Sequence, residues 1–505
     1  MLRIAGFSAA VGLALLVMLG VFLIVGEQQT TVADYERVSG DDEVFLSQGY
    51  ERKRSTSEPS LLASTMQTTH TVQLPLAMRN YFSPGTSPFG VVIYSGLNPA
   101  TDLPLMKDAG ATWVSTSIYW SIIEPSKGVY DWTYFDRKAQ TAQAAGMNLF
   151  VLFMSNPDWA AALPGGPVTN TQDLVDFTTV MVERYDCDGL DDAPGQPCIH
   201  HWSFYAEPDN GWLPEEGSQK GYWGHNGAGY AAMLAQVAPA MHAASPDAHV
   251  MIGGLAYDWF EEDGGPYVQS FLGDTLDALN ALGGAALYID DVAFHYYPIS
   301  EVRWPSIREK IIEIQGIMSS HGAGDIPLIC PEMGYWSSPL FDSSEQRQAQ
   351  RLVQMFVRGL SVDVSMLSWY KIPDAAVAGS ADDLYPDRTS GLVRLDGSLK
   401  PSYYAYQTMT RELKGLDYQR VFEPTGVEGY VFASPAGAEK TVLWSKVGVA
   451  QAVFPVTHLR LVTIDGQVFD VYDNQSGTPG DVDRGVPGQI AIEVYENVPY
   501  FVEAE

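Results

Sequence analysis

The chain runs to 505 residues, with 61 acidic side chains against 29 basic ones, a formal net charge of −32 and 46% hydrophobic content. That length accommodates two or three domains with a large core, and the composition is that of a folded protein, which excludes disorder over most of its course. So negative a surface repels phosphate backbones and anionic lipid headgroups, which sets nucleic acid aside as a partner and suits solubility outside the cell.

From Ile4 to Val25 the chain carries no charge, and Arg3 is the only charge before Glu27. Crossing a bilayer takes about 20 apolar residues, so residues 1–26 read as either a signal peptide or a transmembrane anchor. The lone Arg3 keeps the amino terminus cytoplasmic and sends the rest across. No small-x-small cleavage site follows, and Gly26-Glu27 closes the apolar run abruptly, which leans toward the anchor. The expected location is extracellular or at the cell surface, with membrane contact only through this segment. Residues 27–84 are polar, mixed in charge and without sustained period, as a flexible linker would be.

Residues 85–414 read as one (β/α)8 barrel, an α/β fold. Eight short runs rich in Val, Ile, Leu, Phe and Tyr, at residues 90–94, 113–117, 149–154, 201–205, 249–253, 291–295, 327–330 and 366–370, alternate with longer segments of helical spacing. That alternation marks β/α units on a parallel sheet, and eight of them fit a closed barrel. Residues 232–244 set Met233, Leu234, Val237, Ala240 and Met241 on one helical face, with Pro246 past the end and Pro239 inside predicting a kink. Over residues 415–505 short period-two runs punctuated by Gly, Pro and Asp-Asn predict a small antiparallel, sandwich-like β domain.

The three cysteines are too few for a disulfide scaffold. Cys187 and Cys198 flank one Asp-, Gly- and Pro-rich loop and are expected to pair in an exported chain. Cys330, among apolar neighbours, reads as a buried, inert thiol. In the loop Asp186-Cys187-Asp188-Gly189-Leu190-Asp191-Asp192 the acids alternate around a glycine as in calcium loops. Asp186, Asp188 and Asp191 are therefore candidate ligands of a structural calcium, with an acidic surface turn as the alternative. No other cofactor is expected.

Glu207 and Glu332 each close a short apolar run and precede a loop marked by glycine or proline. In a parallel β/α barrel the active site lies where strands finish, so two such acids point to glycoside hydrolysis. That reaction needs one carboxyl to protonate the leaving oxygen and a second, ionised one at the anomeric carbon. Trp202 and Tyr205 near Glu207 suit the acid role, leaving Glu332 as the ionised partner. His295 and Tyr297, at the end of another strand, offer an N–H and a hydroxyl to hold it so. Trp120, Trp159, Trp212, Trp259, Trp336 and Trp369 fall at or after strand ends, where sugar rings would stack, whereas Trp113 and Trp202 read as core. The sequence has no Gly-x-Ser-x-Gly elbow, phosphate-binding Gly-Lys loop or His-Glu-x-x-His helix. His200-His201 reads as packing or hydrogen bonding at the lower end of the barrel.

From about Phe89 to Tyr406 the chain resembles the retaining glycoside hydrolases of clan A, of the family 39 and family 5 type. The motifs that carry the resemblance are Trp120 with Glu124-Pro125, Gly128-Val129-Tyr130-Asp131-Trp132 and Phe135-Asp136; Pro157-Asp158-Trp159-Ala160; Glu207-Pro208; His295-Tyr296-Tyr297; Glu332-Met333-Gly334; Trp369; and the closing Gly391-Leu392, Asp396-Gly397 and Lys400-Pro401-Ser402-Tyr403-Tyr404-Ala405-Tyr406. The resemblance implies Glu207 as acid/base and Glu332 as nucleophile. It implies His295, Tyr297 and Trp369 as positioning residues, with Asn156, Asn210, Trp159 and Trp336 as further sugar contacts. Two positions depart from the clan pattern. Ala206 stands where an asparagine usually precedes the acid/base, and Ser115 where an arginine usually ends the second strand. The expectation is an exported, retaining O-glycosidase acting on a poly- or oligosaccharide. The alternatives are a non-catalytic carbohydrate-binding barrel and a structural surface protein.

Overall fold

The computed structural model describes residues 87–94, 97–211, 222–299, 303–375 and 388–504. The apolar segment 1–26, the polar segment 27–84 and Trp212 lie outside the described residues. Among those described, no helix is long and apolar enough to cross a membrane.

Eight parallel strands close into a barrel in sequence order: β1 (Phe89–Val92), β2 (Trp113–Tyr119), β3 (Asn148–Met154), β4 (His201–Phe204), β5 (His249–Leu255), β6 (Asp291–Tyr296), β7 (Leu328–Met333) and β8 (Val364–Trp369). Each expected strand is present, within a few residues at its ends. The strands are buried on both faces, as a sheet covered by helices requires. Trp113, Phe150, Met251, Ala293, Ile329 and Met366 fill the interior. The intervening residues, such as Val114, Val151, Trp202, Val250 and Val292, pack outward in the larger core beneath the helices. The helix Gly227–Ala244 starts earlier than its apolar spacing implies, because the Asn226 side chain caps it through Gly229 N; the helix continues through Pro239.

The ladder is irregular near the ends of β5, β6 and β7. Register shifts fall between Ile252 and Leu255, between Ala293 and His295, and between Cys330 and Met333. Such bulges re-aim side chains at a barrel rim. Here they leave His295 opposite Glu332 in the register of β6 against β7. Glu332 consequently lies within β7, which runs past the expected end at Cys330.

The segment after β2 is a structural corner. Trp120 Nε1 and Gly128 N both donate to the Glu124 carboxylate at 2.6 Å, and Trp159 Nε1 donates to the Glu124 carbonyl at 2.9 Å. Trp132 stacks on Phe177 with ring centroids 5.8 Å apart. The motif that looks most distinctive in the sequence thus braces β2 and β3 against their helices.

The helix Pro401–Leu413 ends the barrel, and β9 (Asp417–Val421) opens the carboxy-terminal domain. It joins β10 (Val427–Ala433), β11 (Glu439–Ser445), β13 (His458–Thr463), β14 (Val468–Tyr472) and β16 (Tyr500–Ala504) in a six-stranded antiparallel sheet, while β12 (Val449–Phe454) pairs with β15 (Ile490–Tyr495). Val427, Leu443, Leu461 and Val502 face the β12–β15 pair in one small core. Tyr430, Phe432, Trp444 and Phe501 join the barrel's core through the other face. Two charged contacts fix that seam. Arg358 forks onto Glu428 at 2.7 and 2.9 Å, and Glu412 accepts from Arg460 at 2.9 Å and from Lys440 at 2.5 Å.

Lys138, on the helix Thr133–Ala144, is buried beneath β2. Its amine donates to Thr116 Oγ1 at 2.8 Å, Ser117 O at 3.2 Å and Tyr94 O at 3.4 Å. Burial lowers its pKa from 10.5 to about 7. Between those values the folded chain binds fewer protons than the unfolded one, so this lysine's penalty is full below about 7 and fades as pH rises toward 10.5. Lys138→Met should therefore exceed wild type in urea stability at pH 7, by on the order of a few kcal/mol, and the two should converge by pH ~10. Parallel stability curves across that window would refute the assignment.

Candidate active site

The site lies at the carboxyl ends of the strands and begins with a backbone constraint. After β4 ends at Phe204, Tyr205 and Glu207 adopt φ of +61° and +43°, and Ser155, Tyr257 and Trp259 are also left-handed on the neighbouring loops. Non-glycine residues in that region cost on the order of 1–3 kcal/mol each and persist only where surroundings hold them. Here Tyr205 N donates to Phe153 O at 2.9 Å and Glu207 N to Gly254 O at 3.0 Å. The Asp209 carboxylate accepts from Ala256 N at 3.1 Å and Tyr257 N at 2.7 Å, tying the loop after β4 to the loop after β5.

Gly253 and Gly254 on β5 make the close approach possible. A Cβ at Gly253 would lie 2.0 Å from Tyr205 O, and one at Gly254 would lie 2.0 Å from His295 Nε2. The imidazole of His295 therefore rests against bare backbone and reaches both acids. Its Nδ1 shares a 3.2 Å hydrogen bond with Glu207 Oε1 and stands 4.0 Å from Glu332 Oε1.

Both carboxyls are buried, at 4% exposure for Glu207 and 8% for Glu332. The Tyr267 hydroxyl donates to Glu207 Oε2 at 2.7 Å. Glu332 receives two phenolic hydroxyls, Tyr297 on Oε1 at 2.6 Å and Tyr94 on Oε2. Burial, reinforced by the adjacent carboxylates, pushes the Tyr267 and Tyr297 hydroxyls well above the ordinary tyrosine value, so both remain donors. Ser115, at the position where the resemblance leads one to look for arginine, bonds Ser368 Oγ at 2.9 Å inside the barrel. The described partners of Glu332 are thus tyrosines, with one histidine alongside.

The structure brings Glu207, Glu332, His295 and Tyr297 together, and it corrects several expected roles. His295 hydrogen-bonds Glu207 rather than Glu332. Tyr205 turns away from Glu207 to donate to Asn156 Oδ1 at 2.9 Å. With Nδ2 on Gly166 O at 2.7 Å, the polar atoms of Asn156 are occupied in a loop latch rather than offered to a sugar. Asn210 is buried and bridges to Tyr267 through the backbone. Trp369 and Trp120 are fully buried, the former donating to Ser390 O at 3.0 Å and the latter packed in the corner after β2, so neither offers an exposed ring face to a ligand. Trp159 and Trp336 are half-buried, and Trp336 stacks on Tyr335 at 4.9 Å. Sequence reasoning missed Tyr94 and Tyr267. Tyr94 ends the first expected strand, and the strand-end rule applied to Glu207 would have flagged it. Tyr267 sits in the loop after β5, where no local pattern points at Glu207.

Cys187 and Cys198 form a disulfide, and Cys330 is buried, with its thiol pushed up by burial. In the adjacent loop, Asp186 and Asp188 converge with Glu183, while Asp191 is not part of that group. Asp186 and Asp188 each accept from backbone N–H groups of their own turn. A cavity of about 290 Å³ lined by Arg347, Gln350, Arg351, Glu496 and Asn497 involves neither glutamate.

A family model of glycoside hydrolase family 42, described as beta-galactosidase, matches residues 98–170. That stretch contains the corner after β2 but neither Glu207 nor Glu332. No curated protein matches the chain. Among solved structures, a family 39 glycoside hydrolase from the gut symbiont Bacteroides cellulosilyticus WH2 superposes with TM-score 0.60 at 16% identity, over 83% of this chain and 81% of its own. A glucosidase from Croceicoccus marinus gives TM-score 0.57 at 14% identity, over 83% of this chain and 96% of its own. A family 39 beta-xylosidase from Caulobacter crescentus gives 0.54 at 15%, over 85% and 98%. The barrel with its carboxy-terminal β domain is a fold this chain shares with clan A glycoside hydrolases of the family 39 type.

Asp209 carries a measurable signature of this enclosure. Burial, with Glu207 nearby adding to it, raises its carboxyl pKa from 3.8 to about 6. The folded chain then binds more protons than the unfolded one between those values, so the penalty grows as pH rises through the window and is full above it. Relative to Asp209→Asn, whose amide mimics the neutral acid, wild-type stability should fall by up to about 3 kcal/mol between pH ~4 and ~6 and stay level beyond. A pH-independent difference in urea midpoints would contradict this.

Proposed function

We propose that this chain is a retaining O-glycoside hydrolase with Glu207 as acid/base and Glu332 as nucleophile. The observation that carries the reading is that His295 Nδ1 lies 3.2 Å from Glu207 Oε1 and 4.0 Å from Glu332 Oε1. Those two oxygens can be no farther apart than the two lengths laid end to end. That limit accommodates the about 5–5.5 Å of retaining pairs and reaches only the lower quarter of the about 6.5–9.5 Å range of inverting ones, which favours retention.

The chemistry follows from the donors. Two phenolic hydroxyls on Glu332 suit an ionised carboxylate that attacks the anomeric carbon. Glu207 gives its proton to the departing glycosidic oxygen, and the sugar is held as an ester on Glu332. Glu207, now ionised, takes a proton from water, which attacks the anomeric carbon and frees Glu332. His295 and Tyr267 fix the Glu207 carboxyl through both steps. The half-buried Trp159 and Trp336 supply ring faces for sugar beyond the cleaved bond. The disulfide and the net charge of −32 support action outside the cell, with residues 1–26 as export signal or anchor.

A non-catalytic carbohydrate binder is the second reading, favoured by Ala206 and Ser115 at positions where the clan pattern has Asn and Arg. Incubation with aryl glycosides and polysaccharides, including β-xylosides, β-glucosides and β-galactosides, separates the two. The hydrolase reading expects turnover with the first-formed sugar of unchanged anomeric configuration by NMR. Glu332→Gln and Glu207→Gln should each lose at least about 1000-fold in kcat while keeping ligand affinity. Binding with no turnover, in wild type and variants alike, would establish the binder instead.

A further inference from the structure

At the opposite end of the same strands, His201, His249 and Asp291 are the first residues of β4, β5 and β6. The residues that follow them, Trp202, Val250 and Val292, pack outward beneath the helices, and Met251 and Ala293 one step further fill the interior. Strand alternation therefore aims all three side chains into the closed end of the barrel. Trp113, the first residue of β2, lies beside them with its ring edge-on to His201 at 5.0 Å between centroids.

One ligating atom from each of the three lies within 4.8 Å of the other two. The two imidazole rings are 4.7 Å apart between centroids, and His249 Nδ1 is 2.9 Å from Asp291 Oδ2. The Asp291 side chain has no solvent exposure, and its other oxygen, Oδ1, has no hydrogen-bond partner among the described residues. An ion pair with His249 accounts for one carboxylate oxygen only. Buried carboxylates are ordinarily paired at both oxygens or bound to a metal, because a bare buried oxygen has lost its water without replacement.

We infer that His201, His249 and Asp291 form a structural site for a divalent transition metal, best matched by Zn²⁺, at the closed end of the barrel. Two imidazole nitrogens and one carboxylate are a zinc donor set. Ligands about 2.0 Å from a tetrahedral zinc stand a little over about 3 Å from one another, so the trio needs only side-chain adjustment to close on an ion. The His249 side chain is 19% exposed, which gives an ion a way in from solvent and leaves room for water as the fourth ligand. On this face of a barrel the role is stability: the ion clamps β4, β5 and β6 below the loops that carry Glu207 and His295.

The test uses the full chain, stripped with EDTA and titrated with zinc chloride by calorimetry and by metal analysis after gel filtration. One equivalent of zinc should bind with micromolar or tighter affinity and raise the thermal midpoint by several degrees. Asp291→Asn and His249→Gln should each weaken binding at least 100-fold. His249 lies at the margin of the site, so His249→Gln provides a folded reference whose circular dichroism matches that of metal-free wild type. Failure of wild type to retain an equivalent of zinc, or unaltered binding in both variants, would overturn the assignment. So would loss of zinc in Asp186→Asn with retention in Asp291→Asn, because the ion would then belong to the acidic loop. Glu332→Gln should bind zinc as wild type does, which separates this outcome from the fate of the hydrolase reading.

Discussion

Burying two carboxyl groups beside one imidazole is costly, because each loses water and each repels the other when ionised. The upper end of the barrel is arranged around offsetting that cost. Tyr94 and Tyr297 give Glu332 two hydroxyl donors, while Tyr267 and His295 serve Glu207. His295 reaches its place only because β5 presents Gly254 at the point of contact, and the left-handed Glu207 donates its N–H to the carbonyl of that same glycine. Removing any one of these supports would leave a charge or a strained peptide without its counterpart.

The division of labour along each strand follows from the same geometry. β4 starts at His201 and leads to Glu207, β6 starts at Asp291 and reaches His295 near its other end, and β5 starts at His249 and carries the two glycines. The middle is filled mainly by apolar side chains, with the Ser115–Ser368 pair among them. The histidines and acids of these strands sit at or near the two ends, where groups from several strands can converge on a single point. Chemistry at the upper end then depends on loops, and rigidity at the lower end depends on the strands themselves.

Ser115, at the position where the resemblance leads one to look for arginine, pairs with Ser368 inside the barrel, and the hydroxyls on Glu332 come from Tyr94 and Tyr297. Neutral donors hold a carboxylate without adding a full positive charge to a site that also contains His295. The carboxy-terminal domain stands apart from this chemistry. It packs one sheet face on the barrel and closes the seam with Arg358–Glu428 and the Glu412 cluster.

Much of the fold was legible along the chain because it rests on local periodicity. Apolar runs at β/α spacing define all eight strands, and the period-two pattern beyond residue 415 defines the β domain. Glu207 and Glu332 were legible too, since an acid closing an apolar strand has few structural reasons to be there. What no local pattern carries is the direction of each side chain once strands meet. The bulges in β5, β6 and β7 insert residues into the register and set His295 opposite Glu332, while Asn156 is engaged by Tyr205 and Gly166 from separate loops. Tyr267, and the convergence of His201, His249 and Asp291 at the closed end, depend on the pairing of β4, β5 and β6, because only that pairing brings these strand ends and their loops within hydrogen-bonding reach. The sequence by itself determined the barrel, the β domain and the two acids, through periodicities of 2 and 3.6 that need only near neighbours. Tertiary structure alone decided which groups surround each acid, because those contacts join residues tens to hundreds of positions apart.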